Sequence, residues 1–582
     1  MIRSVTPFGD EALLVDLGDI SSAHRLADRL LWEQETGGAP ASVLQWVVGH
    51  GTVVVHLEPG ADRPEEVGVW LRSLGPRDAS GGPGRAPTPD APARVVIPAT
   101  FDGPDLGSVA RALGTTDRAV VASLCAVDLE VAFIGFAPGF PYLVGLPPEL
   151  ASVPRRSSPR SAVPAGSVAV AGGYASVYPQ STPGGWMLLG RTSVPLFDRR
   201  HPPFALLRPG DLVRFTEEAE TDRTEEQCLQ PSGDGAPDTR PLLENRGRRF
   251  IEVLEPGLLS LVEDQGRRSA APLGVPGAGP ADPEALRLGN RLVGNPDGAA
   301  AIEVTASGPT LRFHGDAWVT VVGAAAAAAD VLLDGRRVDS GAVVPVGDGQ
   351  VVSIGRVRSG LRAYVAVSGG VETPPEMGSR SSDVLCGLGP GALRAGDRLD
   401  VGAPSRPRGQ LSFPDAPVAD GRPRELRVLA GPHRLAPDRY RELWSRPWMV
   451  GEASNRIGLR LEAVPAGPAP ADGVRAPSGP APVPDGRTAP VTIPSTGMVT
   501  GAVQVPPDGN PIILMPDHAT VGGYPVACCV ITADLPVLGQ LRPGDTVRLT
   551  TVDPATAREA RERWGASLDR RVSGWFPTAA GT

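Results

Sequence analysis

Two distant stretches of this sequence contain the same three elements in the same order. The first, from Val163, reads VPAGSVAV…TPGGWMLLGRT…LLRPGDLVRF, and the second, from Ile493, reads IPSTGMVTGAVQV…TVGGYPVACCVIT…QLRPGDTVRL. In each copy the proline of the RPGD turn pre-sets φ, and the glycine accepts a positive φ before an apolar, strand-like segment. One such turn often matches by chance, whereas three ordered elements do not. The repeat therefore predicts two related β-barrels in one chain.

Short strands joined by turns also account for the composition. Glycine (72) and proline (64) together make up 136 of the 582 residues, about twice the roughly 12% that is usual. From residue 93 onward, apolar segments alternate with turn residues at roughly eight- to twelve-residue spacing, which is typical of barrels and sandwiches. Residues 1–75 instead alternate strand and helix patterns. The expected fold class is mainly β with an α+β N-terminal piece.

Polar breaks rich in glycine and proline divide the chain into four predicted parts. The breaks are residues 75–92, 217–249 and 402–424, and a Pro/Ala-rich stretch, 465–489, is interpreted as a loop inserted in the last part. The predicted parts are a small α+β domain (1–75), a barrel (93–217), a first β-barrel of the second half (249–401) and a second barrel (425–552). Within the first part, helical periodicity over 23–33 places Leu26, Leu30 and Leu31 on the inward face.

The sequence contains no lysine, so all 56 basic residues are arginine. This excludes a P-loop lysine, a Schiff-base or pyridoxal-phosphate lysine and a biotinylated lysine in this chain. An amidase built on a Ser–Ser–Lys arrangement is excluded for the same reason. Any phosphate or carboxylate bound by a cationic side chain must therefore be bound by arginine.

The charge pattern and the cysteines limit which partners and which cellular compartment are expected for this chain. The net charge is −9, with acidic and basic residues interleaved, which argues against nucleic acid and anionic membranes as partners. The longest apolar stretch, 318–329, is too short to cross a bilayer, and the start of the chain lacks a signal pattern. Sparse cysteines without CxxC spacing, and histidines without HExxH or HxH spacing, favour free thiols in a reducing cytoplasm and no metal site.

The candidate binding residues of the first barrel are the arginines of loop 154–160 and a pair of glycines. Arginine forks bind carboxylate or phosphate with two hydrogen bonds, and paired glycines let backbone N–H groups approach an anion. The stretch IGFAPGFPYL (134–143) adds a stiff, aromatic-rimmed loop suited to lining an apolar pocket. We interpret Arg160, Gly184 and Gly185 as an anion-binding mouth. A set of turns with solvated arginines is the alternative.

Two carboxylates and two arginines stand out in the first part of the second half. Asp264 and Arg267 lie in the turn EDQGR after a predicted strand, where an ion pair and a substrate contact are equally possible. Arg267 is not expected to pack in a core. Glu303 lies within the apolar run AIEV and needs a buried partner, for which Arg380 in GSRS is available.

The last part contains the stretch DHATVGGYP, in which Asp517 precedes a Gly-Gly turn. With its neighbour His518, Asp517 could serve as an acid–base group. A loop aspartate more often accepts hydrogen bonds from nearby backbone N–H groups, which is the alternative. Gly522, Gly523 and Tyr524 form the turn and are candidates for binding a substrate or an anion.

The quoted stretches resemble two related families. IGFAPGFPYLVGLPPEL, SPRSAVPAGSVAVAGG and TPGGWMLLGRT are similar to the B subunit of 5-oxoprolinase, the KipI or allophanate-hydrolase-subunit-1 family. VLEPGLLSLVEDQGR, LGVPGAGPADPEALRLGNRLVGN, GSRSS, SNRIG, TGAVQVPPDG and GGYP are similar to the C subunit of that enzyme, the KipA or allophanate-hydrolase-subunit-2 family. The motifs are long and ordered, and together they cover nearly the whole chain. The chain therefore resembles a fusion of the B and C subunits.

The resemblance implies tandem cyclophilin-like β-barrels and kinship with the carboxyltransferase region of urea carboxylase. It also implies an enzyme component that acts with a separate A subunit of the LamB/YcsF family in the ATP-dependent opening of 5-oxoproline, a cyclic amide, to glutamate. ATP would bind this chain or the partner, and biotin cannot be attached covalently to a chain without lysine. The catalytic candidates are Asp264, Arg267 and Asp517. The candidates for binding substrate or anion are Arg160, Gly184, Gly185, Arg380, Gly522, Gly523 and Tyr524.

The sequence departs from the family pattern at four positions. Leu124 stands where a histidine is expected, Ala278 and Ala281 stand in place of a serine and a methionine of the C subunit, and Ala519 stands in place of a glutamine. Two other functions therefore stay open. One is a carboxyltransferase-like component of a urea carboxylase or urea amidolyase system, with biotin supplied in trans, and the other is a regulatory binding protein of the KipI/KipA type.

Overall fold

The computed structural model describes residues 2–58, 60, 64–74, 92–218, 249–324, 329–407, 423–464 and 492–572. The predicted inserted loop 465–489 lies wholly outside these residues, and the predicted breaks 75–92, 217–249 and 402–424 lie largely outside them. Each sheet lies within one of the four predicted parts, apart from Arg424, which precedes the predicted start of the last part by one residue; the limits of those parts stay predictions.

The N-terminal part is a four-stranded antiparallel sheet with two helices packed on it. Its elements are β1 (Ser4–Pro7), β2 (Ala12–Asp16), α1 (Ile20–Glu35), β3 (Val43–Val48), β4 (Thr52–Leu57) and α2 (Pro64–Ser73). The strand order is β1-β2-β4-β3. Asp19 caps α1 by accepting a 2.7 Å hydrogen bond from Ser22 N. Leu26 and Leu30 are buried as predicted, but Leu31 is 48% exposed, because it lies about 100° further around the helix than Leu30.

The first barrel is a seven-stranded sheet that nearly closes on itself. Its elements are β5 (Arg94–Ala99), α3 (Leu106–Ala112), α4 (Asp117–Cys125), β6 (Leu129–Ile134), β7 (Pro141–Val144), α5 (Pro148–Ala151), β8 (Arg160–Val163), β9 (Ser167–Ala171), β10 (Tyr174–Val177), β11 (Thr182–Gly184), β12 (Met187–Arg191) and β13 (Leu212–Glu217). The sheet order is β12-β9-β10-β7-β6-β13-β5, and β8 pairs with β11. Reciprocal 2.8 Å hydrogen bonds between Thr100 and Arg191 join its two edges.

The first part of the second half consists of two sheets that enclose one apolar core. Its elements are β14 (Phe250–Glu255), β15 (Leu259–Glu263), a 3₁₀ helix (Ala271–Leu273), α6 (Pro283–Leu292), β16 (Ala301–Thr305), β17 (Thr310–His314), β18 (Ala317–Gly323), β19 (Ala329–Leu333), β20 (Arg336–Val338), β21 (Val344–Val346), β22 (Val351–Val357), β23 (Arg362–Val367) and β24 (Arg398–Asp400). The orders are β20-β19-β22-β17-β14-β24 and β15-β16-β23-β18-β21. Asp282 accepts a 2.9 Å hydrogen bond from Ala285 N and caps α6, as the Asp-Pro pair at this point of the sequence predicts.

The last part is a closed barrel followed by a helix. Its elements are β25 (Arg424–Ala430), α7 (Pro437–Ser445), β26 (Trp448–Val450), β27 (Gly458–Ala463), β28 (Thr496–Gly497), β29 (Ala502–Gln504), β30 (Ile512–Leu514), β31 (Val521–Gly522), β32 (Val526–Val530), a 3₁₀ helix (Thr532–Asp534), α8 (Leu535–Gln540), β33 (Thr546–Thr551) and α9 (Pro554–Val572). The barrel order is β25-β32-β29-β30-β27-β26-β33, and β28 pairs with β31. The helix α9 lies beyond the predicted end of this part and packs on α6, where Trp564 Nε1 donates to Glu284 Oε2 at 2.7 Å.

The two barrels share the topology that the sequence repeat predicts. In each barrel the RPGD turn precedes the closing strand, with Gly210 at φ +92° and Gly544 at φ +89°. The closing strands β13 and β33 pair in parallel with the opening strands β5 and β25, although the other pairings of both sheets are antiparallel. The prediction of tandem related barrels in a mainly β fold is therefore confirmed. Among the described residues, no helix is long and apolar enough to cross a membrane.

Loops from both halves of the chain meet at one junction. Apolar side chains of the N-terminal sheet and the second barrel form a shared cluster that includes Phe8, Ala12, Leu14, Val54, Met498, Val499 and Leu514. At its margin, Thr52 Oγ1 lies 2.9 Å from Thr496 Oγ1. The 134–143 loop of the first barrel reaches the second half as well, since Gly139 N donates to Leu273 O at 2.8 Å. This junction positions the candidate site.

Candidate functional site

One carboxylate, that of Asp264, connects the turn after β15 to the loop with the sequence GSRSS (378–382), called the GSRSS loop. Asp264 accepts hydrogen bonds from Gly266 N (2.9 Å), Ser379 Oγ (2.5 Å), Arg380 N (2.6 Å) and Ser381 Oγ (2.8 Å). These donors occupy both carboxylate oxygens, and Asp264 is only 8% exposed. Asp264 therefore holds the two loops in a fixed relation. Its catalytic role stays a prediction, and the geometry favours a positioning role.

Gly266 brings the same turn into contact with the loop LGVPGAG (273–279). Its φ is +82°, and a Cβ at this position would lie 2.6 Å from Gly277 O. The next residue makes the closest contact, because Arg267 N donates to Gly277 O at 2.6 Å. Only glycine combines this φ with so close an approach of two backbones. The Arg267 side chain is therefore held between the GSRSS loop and the LGVPGAG loop.

Arg267 is buried, in contrast to the expectation that it does not pack in a core. The residue is 1% exposed, because loops from two directions enclose it. Nη2 donates to Ser381 O at 2.7 Å. Nε and Nη1 are buried and have no hydrogen-bond partner within the described part of the chain. Leaving such donors unsatisfied costs about 1–3 kcal/mol each, so this guanidinium is the most unusual group of the turn.

Arg267 lines a cavity of about 210 Å³ at the meeting point of three parts of the chain. We call it the junction cavity. The polar residues of its wall are Asp10, Glu11, Gln45 and His56 from the N-terminal part, Gln265, Arg267 and Arg268 from the first part of the second half, and Thr500 and Thr532 from the second barrel. The wall is therefore composite, and neither half of the chain forms it alone.

Two adjacent carboxyl groups belong to this wall. Asp10 accepts hydrogen bonds from Thr532 Oγ1 (2.9 Å) and Thr532 N (3.1 Å), which fixes it against the second barrel. Burial, followed by repulsion from Asp10, raises the pKa of Glu11 to about 7. Oε1 of Glu11 is buried and lacks a hydrogen-bond partner among the described residues. Glu11 can therefore hold a proton at neutral pH, as a general acid must.

Two further polar residues of the wall are His56, which is neutral, and Arg268, which is paired. Burial, with a smaller effect of His518, lowers the pKa of His56 to about 4, so its imidazole is neutral at pH 7. Its Nε2 is buried without a partner in the described ranges. Arg268 is engaged, because it donates to Glu58 Oε1 at 2.7 Å and to Gln265 Oε1 at 2.8 Å. Arg267 is therefore the guanidinium of this wall with unmatched donors.

A buried ionic cluster centred on Arg456, of the SNRIG motif, adjoins the Asp264 turn. Arg456 donates to both oxygens of Asp517 at 2.9 and 2.8 Å and to Glu303 Oε1 at 2.6 Å. Its Nη2 also lies 3.3 Å from Glu263 Oε1. None of the four residues is more than 2% exposed. One guanidinium thus joins three carboxyl groups from two parts of the chain, and Asp517 lines neither of the cavities described here.

The carboxyl groups of this cluster differ in protonation. Burial raises the pKa of Glu263 well above its usual value and raises that of Asp517 to about 6. Burial alone would also raise the pKa of Glu303, but Arg456 and then Arg362 outweigh it and lower that pKa. The geometry therefore favours an ionised Glu303 beside a protonated Glu263 at neutral pH.

The partner predicted for Glu303 is wrong. Glu303 is held by Arg456 and by Arg362, whose Nε lies 3.2 Å from Glu303 Oε1. Arg380 instead belongs to the Asp264 turn, to which it donates through its backbone N–H. The Nε of Arg380 is buried without a partner among the described residues. The physical reason is tertiary, because the fold brings Arg456 of the SNRIG motif to Glu303.

The first-barrel candidates do not line the junction cavity. Arg160 is paired, because Nη2 donates to Asp105 Oδ1 at 2.8 Å. Gly184 is required for packing, since a Cβ there would lie 2.4 Å from Tyr178 Oη. Gly185 has no neighbouring atom closer than 3.8 Å to such a Cβ. The structure thus keeps these three residues apart from Arg267, and their anion-binding role stays a prediction.

The second barrel contains a cavity of its own, of about 210 Å³. Gly522 and His518 line it, and a Cβ on Gly522 would lie 2.5 Å from Gln504 Nε2. A side chain at this position would therefore have to displace Gln504. Gly523 and Tyr524 continue the same turn but are not part of the cavity wall, and Tyr524 is 37% exposed. Binding by this turn stays a prediction.

The four departures from the family pattern fall in two environments. Leu124 packs in the core of the first barrel and Ala281 in the core of the second, so they lie away from both cavities. Ala278 lines the junction cavity and Ala519 lines the second-barrel cavity. Only the last two positions thus change a cavity wall, each to a small apolar side chain.

Several residues of the site are absent from the sequence-based candidates, among them Arg456, Glu11 and His56. Arg456 could have been identified, because it lies in the quoted motif SNRIG. Glu11 and His56 carry no such signal, since they lie in the N-terminal part, which contains none of the quoted motifs. Only the contact between the two halves reveals them.

The fold and the junction cavity define a protein of two halves with tandem barrels, in which both halves line one site. The family described as carboxyltransferase domain, subdomains C and D, matches residues 3–207, and that described as subdomains A and B matches residues 273–551. The chain belongs to this carboxyltransferase-domain family and carries both domain types in one fused chain, as in a fusion of the B and C subunits of 5-oxoprolinase.

Three relatives and one crystal structure illustrate the kinship. The C subunit of 5-oxoprolinase from Escherichia coli (strain K12) is 33% identical over 318 residues, which cover 54% of this chain and 94% of that protein. The B subunit of 5-oxoprolinase from Escherichia coli O157:H7 is 48% identical over 129 residues, 22% of this chain and 59% of that protein. Urea amidolyase of Lachancea kluyveri is 31% identical over 56% of this chain and 18% of that protein. The crystal structure of TTHA0988 has a TM-score of 0.75 at 33% identity and covers 93% of this chain and 99% of that one.

Proposed function

We propose that this chain is the fused B and C component of a 5-oxoprolinase, an enzyme system that uses ATP to open 5-oxoproline to glutamate. Similarity to 5-oxoprolinase subunits of both types supports the proposal. The observation that carries it is the composite junction cavity, whose wall combines acid–base groups and an arginine from both halves of the chain. A site of this kind requires that the two halves stay assembled.

The groups of the wall suit the opening of a cyclic amide. This reaction adds water at the carbonyl carbon and places a proton on the departing nitrogen. Glu11, with a pKa raised to about 7 by burial, would hold the proton that the nitrogen takes up. Arg267 would supply a fixed positive charge for an anionic group of the substrate. Asp264 would act by positioning Arg267.

We infer that ATP binds outside the junction cavity, because the cavity is small. Its volume of about 210 Å³ is below the roughly 300–1,000 Å³ of sites for drug-sized ligands, and a nucleoside triphosphate is not smaller than those ligands. We therefore assign nucleotide binding to a separate protein of the LamB/YcsF type, and we place the assembly in the cytoplasm.

The test is reconstitution with that separate protein. The chain should co-purify with a LamB/YcsF-type subunit from the same organism, and the complex should release ADP only when 5-oxoproline is present. The isolated chain should have negligible activity, because it supplies only two of three components. Robust turnover by the isolated chain, or a stable complex without 5-oxoproline-dependent ADP release, would contradict the proposal.

A second candidate function is a carboxyltransferase-like component of a urea carboxylase. The description of the family and the similarity to urea amidolyase favour it. Biotin would have to come from another protein, because this chain has no lysine to carry it. Transfer of a carboxyl group from a carboxybiotinylated carrier protein to urea, in the absence of any response to 5-oxoproline, would favour this function over the first.

A further inference from the structure

We propose that Arg456 and Asp517 form a positioning pair that holds one wall of the junction cavity and one wall of the second-barrel cavity, and that protonation of Asp517 loosens both walls together. The two cavities thus respond to pH as one unit. The inference goes beyond the proposed function, because it concerns how the walls are held, whichever ligands the cavities bind.

The pair adjoins the wall of the second-barrel cavity. This wall includes the residues next to the pair in the chain, namely Asn455, Ile457, His518 and Ala519. Arg456 and Asp517 are not part of the wall, and each is at most 2% exposed. The backbones of the two segments are also joined, because Asp517 N donates to Arg456 O at 3.0 Å. Any movement of the pair therefore reaches this wall through the chain itself.

The same pair is attached to the wall of the junction cavity. Arg456 Nη2 donates to Gly279 O at 2.6 Å, and the residue before Gly279, Ala278, lines the junction cavity. Ala278 N donates to Pro516 O at 3.1 Å, and Pro516 directly precedes Asp517. The LGVPGAG loop is therefore held at both members of the pair, by a side chain at one and by the backbone at the other.

The backbone of Ala278 indicates that this loop is held under strain. Its φ is +51°, in the left-handed region that a residue with a Cβ rarely adopts. Such a conformation persists where the surrounding contacts impose it. At Ala278 these contacts are its own hydrogen bond to Pro516 and the bond from Arg456 to the next residue. Loss of these contacts lets the loop relax, and the wall of the junction cavity moves with it.

Protonation of Asp517 disturbs the contact on which the loop depends. Arg456 donates to both oxygens of Asp517, at 2.9 and 2.8 Å, and an ionised carboxylate can accept both bonds because it carries no hydrogen. A protonated carboxyl group places a hydrogen on one of these oxygens, where it competes with an Arg456 N–H. Nη2 of Arg456 donates to both Asp517 and Gly279, so a shift of the guanidinium is transmitted to the loop.

The surroundings of Asp517 bring its titration close to neutral pH. The groups that interact with it electrostatically are Arg456, Glu263, Glu303, Asp383 and Cys386. Burial raises the pKa of Asp517 to about 6; Arg456 opposes this effect, whereas Asp383 and Glu303 add to it. Burial also raises the pKa of Glu263 and that of Cys386 well above their usual values. Within the Arg456 cluster, Asp517 is therefore the group expected to change its charge between pH 5 and pH 7.5.

Hydrogen exchange of the full chain, followed by mass spectrometry, tests the inference without a ligand or a partner. The reporters are Ala278 N–H and Asp517 N–H, which lie in separate segments and donate to Pro516 O and Arg456 O. After correction for the effect of pH on chemical exchange, both segments should exchange at least about tenfold faster at pH 5 than at pH 7.5, with a midpoint near pH 6. The paired strands β5 and β13 are the internal reference and should not change.

Three variants identify the group that titrates. Asp517→Asn keeps the shape of the side chain but cannot ionise, so both segments should exchange fast at both pH values. Asp508→Asn changes an exposed aspartate of the same barrel and should behave as the wild-type chain. Glu263→Gln replaces a neighbour that is expected to stay protonated, so it should retain the pH dependence. The wild-type chain and Glu263→Gln keep the test decisive if Asp517→Asn does not fold.

Four results would overturn the inference. They are no effect of pH on either segment of the wild-type chain, an effect on only one segment, an effect that persists in folded Asp517→Asn, and an effect that disappears in Glu263→Gln. An equal change in β5 and β13 would overturn it as well, because the exchange would then report unfolding of the whole chain rather than movement of the two walls.

Discussion

Arg456 contacts three carboxyl groups that are all removed from water: Glu263, Glu303 and Asp517. These carboxyl groups come from β15, from β16 and from the loop before β31, so a single guanidinium connects the first part of the second half with the second barrel. Breaking a buried pair by removal of one partner leaves uncompensated charge and costs about 3–5 kcal/mol. Removal of Arg456 is therefore expected to destabilise the fold, although Arg456 does not line the junction cavity.

Arg456→Gln is expected to lower the free energy of unfolding by at least about 3 kcal/mol, because it leaves buried carboxyl groups without their cation. Urea denaturation followed by fluorescence measures the loss. Arg460→Gln is the matched control, since Arg460 is exposed two residues into β27, and it should change stability by less than about 0.5 kcal/mol. An equal, small effect of both variants would show that the cluster does not support the fold.

The raised pKa of Glu11 predicts how the stability of the chain changes with pH. Burial and then Asp10 raise its pKa from 4.5 to about 7, against smaller lowering effects of Thr532, Arg561 and Arg287. Because the folded pKa is above the unfolded one, the stabilising contribution is fully present below about pH 4.5 and is lost as the pH rises through about 7. Relative to Glu11→Gln, the wild-type chain should lose up to about 3 kcal/mol between pH 5 and pH 8. Denaturation curves at both pH values test this, and a constant difference between the two proteins would contradict it.

At the scale of elements, loops supply the charged groups of the junction cavity, and the strands β3 and β4 supply Gln45 and His56. The turn after β15, the GSRSS loop and the LGVPGAG loop hold Arg267, while the β1–β2 turn supplies Asp10 and Glu11. Strands serve as the frame that keeps these loops in place, as is usual for functional loops on a rigid scaffold. Gly266 brings the backbone of the turn close to that of Gly277.

Gly266→Ala should therefore disturb the site more than its backbone strain explains. Both Gly266 (φ +82°) and Gly544 (φ +89°) have positive φ, but only at Gly266 would a Cβ meet other atoms, whereas nothing lies within 4 Å of one at Gly544. In each alanine variant the left-handed conformation should lower the free energy of unfolding by about 1–2 kcal/mol. Gly266→Ala should lower it by at least the same amount again, because its Cβ clashes with the Gly277 backbone. Thermal denaturation and 5-oxoproline binding measure the difference. Equal losses in the two variants would mean that the close approach is unimportant.

Local sequence patterns predicted the elements well and the site only in part. Three elements could be predicted because each depends on neighbours in the chain: the RPGD turns, the Asp282 cap and the strand before Asp264. The burial of Arg267 and the pairing of Glu303 with Arg456 depend on which loops meet in space. Periodicity carries no information on such contacts, so the composite wall could not be predicted.

At the scale of the whole molecule, the two halves share apolar clusters as well as the cavity wall. Phe8, Leu14 and Val54 of the N-terminal sheet pack with Met498 and Val499 of the second barrel. A cluster of the first half likewise includes side chains of the second half. Burial of apolar surface is the dominant favourable contribution to most protein–protein association. We therefore expect the two halves to stay together without their covalent connection.

Residues 1–225 and 245–582, expressed as two chains, should assemble into one complex. The cut falls within 219–248, outside the described residues, so it removes none of the contacts above. Size-exclusion chromatography of the mixed fragments at micromolar concentration should give one peak with the mass of the intact chain. Two folded fragments that migrate independently would mean that the fusion only tethers separate functions and that the site is not shared.

The most direct test of a shared 5-oxoprolinase site is ADP release by the complex of this chain with its LamB/YcsF-type subunit. The wild-type complex and the control Arg118→Gln, which changes an exposed arginine on α4, should turn over at the same 5-oxoproline-dependent rate. Arg267→Gln, with a matched melting temperature and an intact complex, should be at least about 100-fold slower, because removal of one preorganised electrostatic donor from an active site commonly costs about this much in rate. Wild-type turnover by that variant would contradict the shared site.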